Sequence, residues 1–359
     1  MTKIMISAGG TGGHIFPGLA VAQTFLQQGT DVVWIGTMQG MEARLVPAEN
    51  IPLLTITMQG VRGKGFMRLL KAPWLIMRSV ISACKLIKQQ KPDVILGMGG
   101  YVTAPVGIAA RICKTPLVIH EQNAIAGTAN KLLSHLANSV CESFPNTFPT
   151  SKKVIFSGNP LRPAIISLAG TKKIHLSNSG ILKLLVLGGS QGARAINQLI
   201  PELTAKFAPT ANLQIWHQTG MTDFESTKKA YHDLHVQPQK LEPFINYMAL
   251  AFTWADLIIC RAGATTVAEI AAVGLPAIFI PAPQAVDDHQ TANANRLAQC
   301  GAAIILPQSK LSCERLYDEI QQFFLQPEKL NQMAMHASEL GCLDATTNVV
   351  KECRRVMND

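Results

Sequence analysis

Short apolar runs alternate with helix-like stretches through the first half of the chain: Ile4 to Ser7, Phe16 to Gln28, Val32 to Ile35, Phe66 to Gln90, Val94 to Met98, and Leu117 to His120. Apolar runs without polar alternation are the pattern of strands covered on both faces. Separated by helical stretches, they predict βαβ units on a parallel sheet. The rhythm breaks at 157–163, SGNPLRP, where a glycine and two prolines precede a polar stretch from Thr171 to Asn178. It restarts with Leu182 to Leu187 running into GGSQGAR, followed by apolar runs at Leu213 to Trp216, Leu257 to Cys260 and Ala277 to Ile280. The pattern predicts an α/β chain of two such domains, divided near residue 160, each opening with a strand and a glycine-rich turn. Three helix-like runs, Leu311 to Phe324, Leu330 to Leu340 and Thr347 to Met357, make up the tail.

Length supports the division, since 359 residues exceed the size at which one core usually stops growing. Hydrophobic residues make up 48% and charged residues 15%, which excludes a disordered chain. A net charge of +9 favours an anionic partner. Neither zinc-finger spacing nor an RNA-recognition signature is present, so phosphate or an anionic membrane is expected in place of nucleic acid. Eight cysteines stand without a CxxC pair and read as reduced thiols. The amino terminus enters a strand without a signal-peptide pattern, and no apolar run reaches the roughly 20 residues of a spanning helix. A protein that stays inside the cell and touches membrane only peripherally is expected.

Gly9 to His14, GGTGGH, follows the first strand and precedes a helix expected to begin near Pro17. Glycines allow a tight turn and close approach to a ligand, and helix-start N–H groups attract negative charge, so the loop suits a sugar phosphate or another anion. It departs from the GxGxxG dinucleotide fingerprint, and Ile35 is followed by Gly36 and Thr37 instead of a ribose-binding acid. His14 is a candidate general base, with a solvated loop histidine as the alternative. Gly188 to Gly192 repeats the arrangement, and the Ser190 hydroxyl suits a diphosphate; a plain tight turn is the alternative. In CRAGATTVAEIAAVGLP a strand ends at Cys260, and a helix runs from about Thr265 to near Gly274. Glu269 on that helix could hold a ribose diol or be an exposed acid near the helix start.

Seven segments occur in order: GGTGGHIFPGLAVA, LGMGGYVTAP, HEQNAIAGTAN, GNPLR, LGGSQGAR, CRAGATTVAEIAAVGLP and DDHQTANA. Together they resemble the bacterial glycosyltransferases that add N-acetylglucosamine to undecaprenyl-diphospho-N-acetylmuramoyl-pentapeptide, from the first strand to about Gly301 and more weakly beyond. The resemblance implies two Rossmann-like parallel-sheet domains facing across a cleft, the GT-B type. Residues 1–160 would form the acceptor and membrane side and 161–341 the donor side, with a last helix at about 342–359 packing back on the first domain. It implies inverting transfer from UDP-N-acetylglucosamine to that lipid-linked acceptor, without a metal or other cofactor, in peptidoglycan biosynthesis. Donor contacts are implied at Thr11, Gly12, Gly13, Asn123, Arg162, Ser190, Ile245, Ala264, Thr265, Thr266, Val267, Ala268, Glu269 and Gln290. Asp288 and His289 could share the role of Gln290, depending on how the preceding loop aligns. His14 would be the base, with Glu121 and Tyr101 as further candidates for proton handling or acceptor contact. The same resemblance implies a peripheral location on the cytoplasmic face of the inner membrane, and cell-wall or division proteins as further partners.

One segment bears on the membrane directly. Phe66, Leu69, Leu70, Trp74, Leu75 and Ile76 are interspersed with Arg62, Lys64, Arg68, Lys71, Arg78 and Lys85, which suits insertion into an anionic leaflet. The alternative is a helix packed on the sheet, and both can hold for different parts of the segment. Three rival functions remain at this stage. An NAD-dependent oxidoreductase is undercut by the wrong fingerprint and the missing ribose acid, a catalytically dead scaffold by the presence of His14, Ser190 and Glu269, and a diacylglycerol glycosyltransferase only by the resemblance that HEQNAIAGTAN and GMGGY carry to the enzymes of the cell-wall precursor.

Overall fold

The computed structural model describes residues 2–58, 66–172, 174, 176, 180–189, 192–285 and 288–358, with 66–73 described in backbone only. The chain divides into two compact units, Met1–Arg162 with Leu343–Asp359, and Pro163–Cys342.

The first unit carries seven strands: β1 (Lys3–Ser7), β2 (Asp31–Gly36), β3 (Leu53–Thr55), β4 (Val94–Gly97), β5 (Leu117–Glu121), β6 (Ser139–Glu142) and β7 (Val154–Phe156). Its helices include α1 (Gly12–Gln27), α2 (Glu42–Ala48), α3 (Phe66–Gln90), α4 (Thr103–Cys113) and α5 (Thr128–Leu133). All pairings are parallel, in the order β3-β2-β1-β4-β5-β6-β7. Side chains alternate across the sheet, so each strand supplies two cores. Ile4, Ile6, Trp34 and Leu96 face one, and Met5, Val33, Ile35 and Ile95 the other. The first core is closed by α1 and by the final helix, Ala345–Asn358, whose Val349, Val350, Cys353 and Val356 pack with Ile15, Leu19, Ala22 and Phe25.

The second unit repeats the plan with β8 (Leu182–Leu187), β9 (Leu213–Gln218), β10 (Lys240–Glu242), β11 (Leu257–Cys260), β12 (Ala277–Phe279) and β13 (Ala303–Ile305). They form a parallel sheet in the order β10-β9-β8-β11-β12-β13. Both sheets are therefore of the doubly wound type expected from the sequence, each reversing direction beside its opening strand. The crevice at such a switch point, past the carboxyl ends of the strands, is where these sheets bind ligands. In the first unit the switch lies between β1 and β4, and in the second between β8 and β11.

The first helix begins earlier than the sequence suggested. α1 starts at Gly12, with Thr11 as its amino-terminal cap and Pro17 inside the helix. A proline normally marks a first turn; here it lies further in, and removes only the N–H that would have met the Gly13 carbonyl. His14 consequently stands in the first turn of a helix, not in a loop.

Candidate active site

At the first switch point, the segment after β1 meets the segment after β4 backbone to backbone. Gly100 has φ +84°, and a β-carbon there would overlap the Gly9 carbonyl, so only glycine permits this approach. Gly99, at φ +99°, lies beneath the His14 imidazole: a β-carbon on it would stand 2.7 Å from His14 Cδ2. The His14 Nδ1 is 3.3 Å from the Thr11 hydroxyl. Beside it Gln122 is buried, its Nε2 donating to the Met98 carbonyl at 2.7 Å. Tyr101 is half-buried with its ring against Gly10, and its hydroxyl lies 3.1 Å from that of Thr37. Arg162 places its guanidinium 5.3 Å above the Phe16 ring, and Phe16 in turn packs on Gly12. Thr11, Gly12, Gly13, His14, Tyr101 and Arg162 are thus gathered around the start of α1, whose amino-terminal dipole favours an anion.

Glu121 has a different character. It ends β5, is buried, and its oxygens accept from the Asn123 N–H, the Asn123 Nδ2, the Gly127 N–H and the Asn130 Nδ2 at 2.9–3.1 Å. The carboxylate organises the loop from Asn123 to Asn130, and its lone pairs are taken up in doing so. The same bonds orient the half-buried Asn123. Neighbouring His120 is buried, and burial pulls its proton affinity down to a pKa of about 4, against the opposing pull of the Gly158 carbonyl and Glu121.

Sequence reasoning missed Glu42. It opens α2, is buried, and accepts from the Gly10 N–H and from both the N–H and hydroxyl of Thr37. The signal available was the set of glycines at 9, 36 and 40, where in each case a β-carbon would crowd the Glu42 side chain.

At the second switch point, Ser190 and Gln191 lie outside the described residues. The glycine loop around them is held from beneath. The Gly188 N–H donates to the Gln218 carbonyl, and Asn197 bridges the Thr219 carbonyl, Asp223 and His217. His217 also meets the Tyr231 hydroxyl, and burial lowers its pKa to about 3.

Past β11, the helix Ala264–Val273 begins one residue earlier than expected. Its amino-terminal cap Gly263 makes no side-chain capping bond, and no acid stands in the first turn, so this too is an anion-favouring helix end. Thr265, Thr266 and Ala268 are half-buried, whereas Ala264 and Val267 are buried and could meet a ligand only through backbone. Glu269 is 5% exposed, not the exposed acid of the alternative reading.

Ile245 is buried, and its N–H donates to Gln218 Oε1 at 3.3 Å, which leaves any base-edge contact to its carbonyl. Gln290 is half-buried, with Oε1 accepting from the Ala282 N–H at 2.9 Å. Asp288 is exposed and accepts from the Thr291 hydroxyl at the start of its own helix. A second residue unmarked by the sequence is Arg261, which ties the end of β11 to the carbonyls of Ile280 and Pro281 and to Gln308.

Residues 4–142 match the glycosyltransferase family 28 N-terminal domain, and 183–349 match its C-terminal domain. The chain belongs to glycosyltransferase family 28. A UDP-N-acetylglucosamine–N-acetylmuramyl-(pentapeptide) pyrophosphoryl-undecaprenol N-acetylglucosamine transferase of Pseudomonas putida is 48% identical over 354 residues, covering 99% of this chain and 98% of that protein. The transferase of the same name in Ectopseudomonas mendocina is 47% identical over 361 residues and 99% of both chains. Among solved structures, MurG of Acinetobacter baumannii is 40% identical with a TM-score of 0.81, covering 99% of this chain and 100% of that one. A UDP-GlcNAc 2-epimerase of Neisseria meningitidis, solved with UDP-GlcNAc, shares 15% identity at a TM-score of 0.69 over 99% of this chain and 100% of that one. That last likeness is one of fold. The family 28 match spans both switch points.

Proposed function

We propose that this family 28 chain transfers N-acetylglucosamine from UDP-N-acetylglucosamine to undecaprenyl-diphospho-N-acetylmuramoyl-pentapeptide, with inversion and without a metal ion. The observation that carries the reading is the near-complete alignment, at 48% identity, with a transferase of that name. The geometry of the switch points supplies a mechanism consistent with it. The acceptor hydroxyl attacks the anomeric carbon, the bond from that carbon to the diphosphate oxygen breaks, and the hydroxyl proton passes to the His14 imidazole. His14 is suited to this because Gly99 leaves room for the ring and Thr11 contacts its other nitrogen.

Charge developing on the departing uridine diphosphate would be met by Ser190 and by the start of the Ala264–Val273 helix. Glu269 would hold the ribose diol, the Ile245 carbonyl would meet the uracil edge, and Gln290 would bond the sugar. Tyr101 would contact the acceptor. Glu121, with its oxygens engaged by Asn123, Gly127 and Asn130, acts as the organiser of its loop and not as a base.

A peripheral position on the cytoplasmic face of the inner membrane fits the lipid-linked acceptor. No described helix is long and apolar enough to cross a bilayer. On α3, Trp74, Met77 and Ile81 project outward one turn apart, while Ser79, Ala83 and Ile87 face inward. Arg78 stands 5.6 Å from the Trp74 ring. This outward stripe and its basic neighbour suit an anionic leaflet. The residues from Arg62 to Lys71 named for the same role lie outside the described side chains.

The experiment that tests the reading is transfer of labelled N-acetylglucosamine from its uridine diphosphate to the lipid-linked muramoyl-pentapeptide, with EDTA present. Transfer giving a product of inverted anomeric configuration is expected. Donor binding without transfer would assign the chain a different acceptor or a requirement for metal.

A further inference from the structure

Glu42 has no part in the chemistry proposed above, yet it lies at the centre of the first glycine loop. All three of its described partners donate: the Gly10 N–H to Oε2 at 3.2 Å, and the Thr37 N–H and hydroxyl to Oε1 at 3.0 and 2.8 Å. The backbone closes around it, since a β-carbon on Gly9 would stand 2.7 Å from Oε1 and one on Gly36 would stand 2.7 Å from Cγ. An acid near the end of the second strand usually grips a ribose in dinucleotide-binding folds. Here the acid comes from the following helix, is fully buried and is bonded to Gly10 and Thr37.

We propose that Glu42 is a positioning residue for acceptor recognition, acting through the Thr37 hydroxyl to fix the direction in which Tyr101 hydrogen-bonds. A threonine hydroxyl has one proton, and that proton goes to Glu42. The Thr37 oxygen therefore accepts in its 3.1 Å contact with the Tyr101 hydroxyl, and the phenol proton is committed inward. Tyr101, half-buried, is left with lone pairs for a ligand. It selects a group that donates, a sugar hydroxyl or an amide N–H of the acceptor, and offers no proton to a substrate oxygen. The Gly10 N–H bond holds the strand-to-helix turn against the Tyr101 ring at the same time.

This assignment rests on the glycosyl-transfer reading, so the test begins with wild-type protein. Steady-state kinetics with UDP-N-acetylglucosamine and the lipid-linked acceptor would be compared for wild type, Glu42→Gln, Thr37→Val, Tyr101→Phe and the pairs Glu42→Gln/Tyr101→Phe and Thr37→Val/Tyr101→Phe. Each single variant is expected to raise the acceptor KM about 3- to 10-fold, the range for one lost hydrogen bond, with the donor KM held within about 2-fold. Each pair should be no worse than Tyr101→Phe alone, because the path runs through the phenol. A Thr37→Val enzyme with unchanged acceptor KM, paired effects that multiply, or equal rises for both substrates would overturn the proposal. Should Glu42→Gln fail to fold, the Thr37→Val pair decides the question. Absence of transfer by the wild-type protein would instead remove the glycosyl-transfer reading, and this assignment with it.

Discussion

Glu121 Oε1 accepts from both the backbone N–H and the side-chain amide of Asn123, at 3.0 and 3.1 Å. With Gly127 and Asn130 on its other oxygen, this buried carboxylate is the centre of the loop that carries Asn123. Glu121→Ala would strand four donors in a buried place. It is expected to cost about 3 kcal/mol of stability, by analogy with breaking other buried charge networks. Urea unfolding would measure it; full stability with turnover alone abolished would return Glu121 to a role in proton transfer.

Acid should destabilise the protein through two histidines. His120 and His217 are held neutral by burial, with pKa values of about 4 and about 3 against an ordinary 6.5. Between those limits the unfolded chain binds protons that the folded one does not. The stability these residues confer is therefore complete above about pH 6.5, and is lost as pH falls toward 4 and then 3. The effect is on the order of a few kcal/mol per histidine. Tm should fall steadily from pH 7 to pH 5, less steeply in a His217→Gln variant, and a flat profile in both would refute it.

On the donor side, the proposed ribose contact of the buried Glu269 predicts that Glu269→Ala weakens binding of uridine diphosphate about tenfold. Calorimetric titration would measure this, and unaltered affinity would remove the ribose role.

Replacing Trp74, Met77 and Ile81 with serine should lower partitioning onto vesicles of anionic lipid by about tenfold or more, given the apolar area withdrawn. Because these side chains point outward, Tm should change little. Equal partitioning of wild type and variant would show that this face of α3 does not meet the bilayer.

The central strands were legible because burial on both faces writes an apolar run, unbroken at the centre of β1 and in β4 and interrupted only by Lys183 in β8. Of the five three-residue strands, β12 was legible because its apolar run continues to Ile280, whereas β3, β7, β10 and β13 carry too few residues to set a period, and β6, reading SVCE, mixes polar ends with a short centre. The start of α1 was obscured by Pro17, which mimics a first-turn signal from inside the helix. The glycine loops and His14 stood out because their residue types have few other uses at a strand end. Glu42 did not, since its partners Gly10 and Thr37 lie 32 and 5 residues away and no spacing rule joins them. Glu121 was marked by its motif, but only the loop folded over it shows that its oxygens are engaged.

The most direct test of the account is the transfer reaction run side by side with wild-type and His14→Ala protein, with uridine diphosphate affinity measured on both. Loss of a positioned general base should lower turnover by about 10²- to 10⁴-fold while donor affinity stays within about 2-fold. Turnover equal to wild type would contradict the assignment of His14 as the base, and with it the placement of the chemistry at the first switch point.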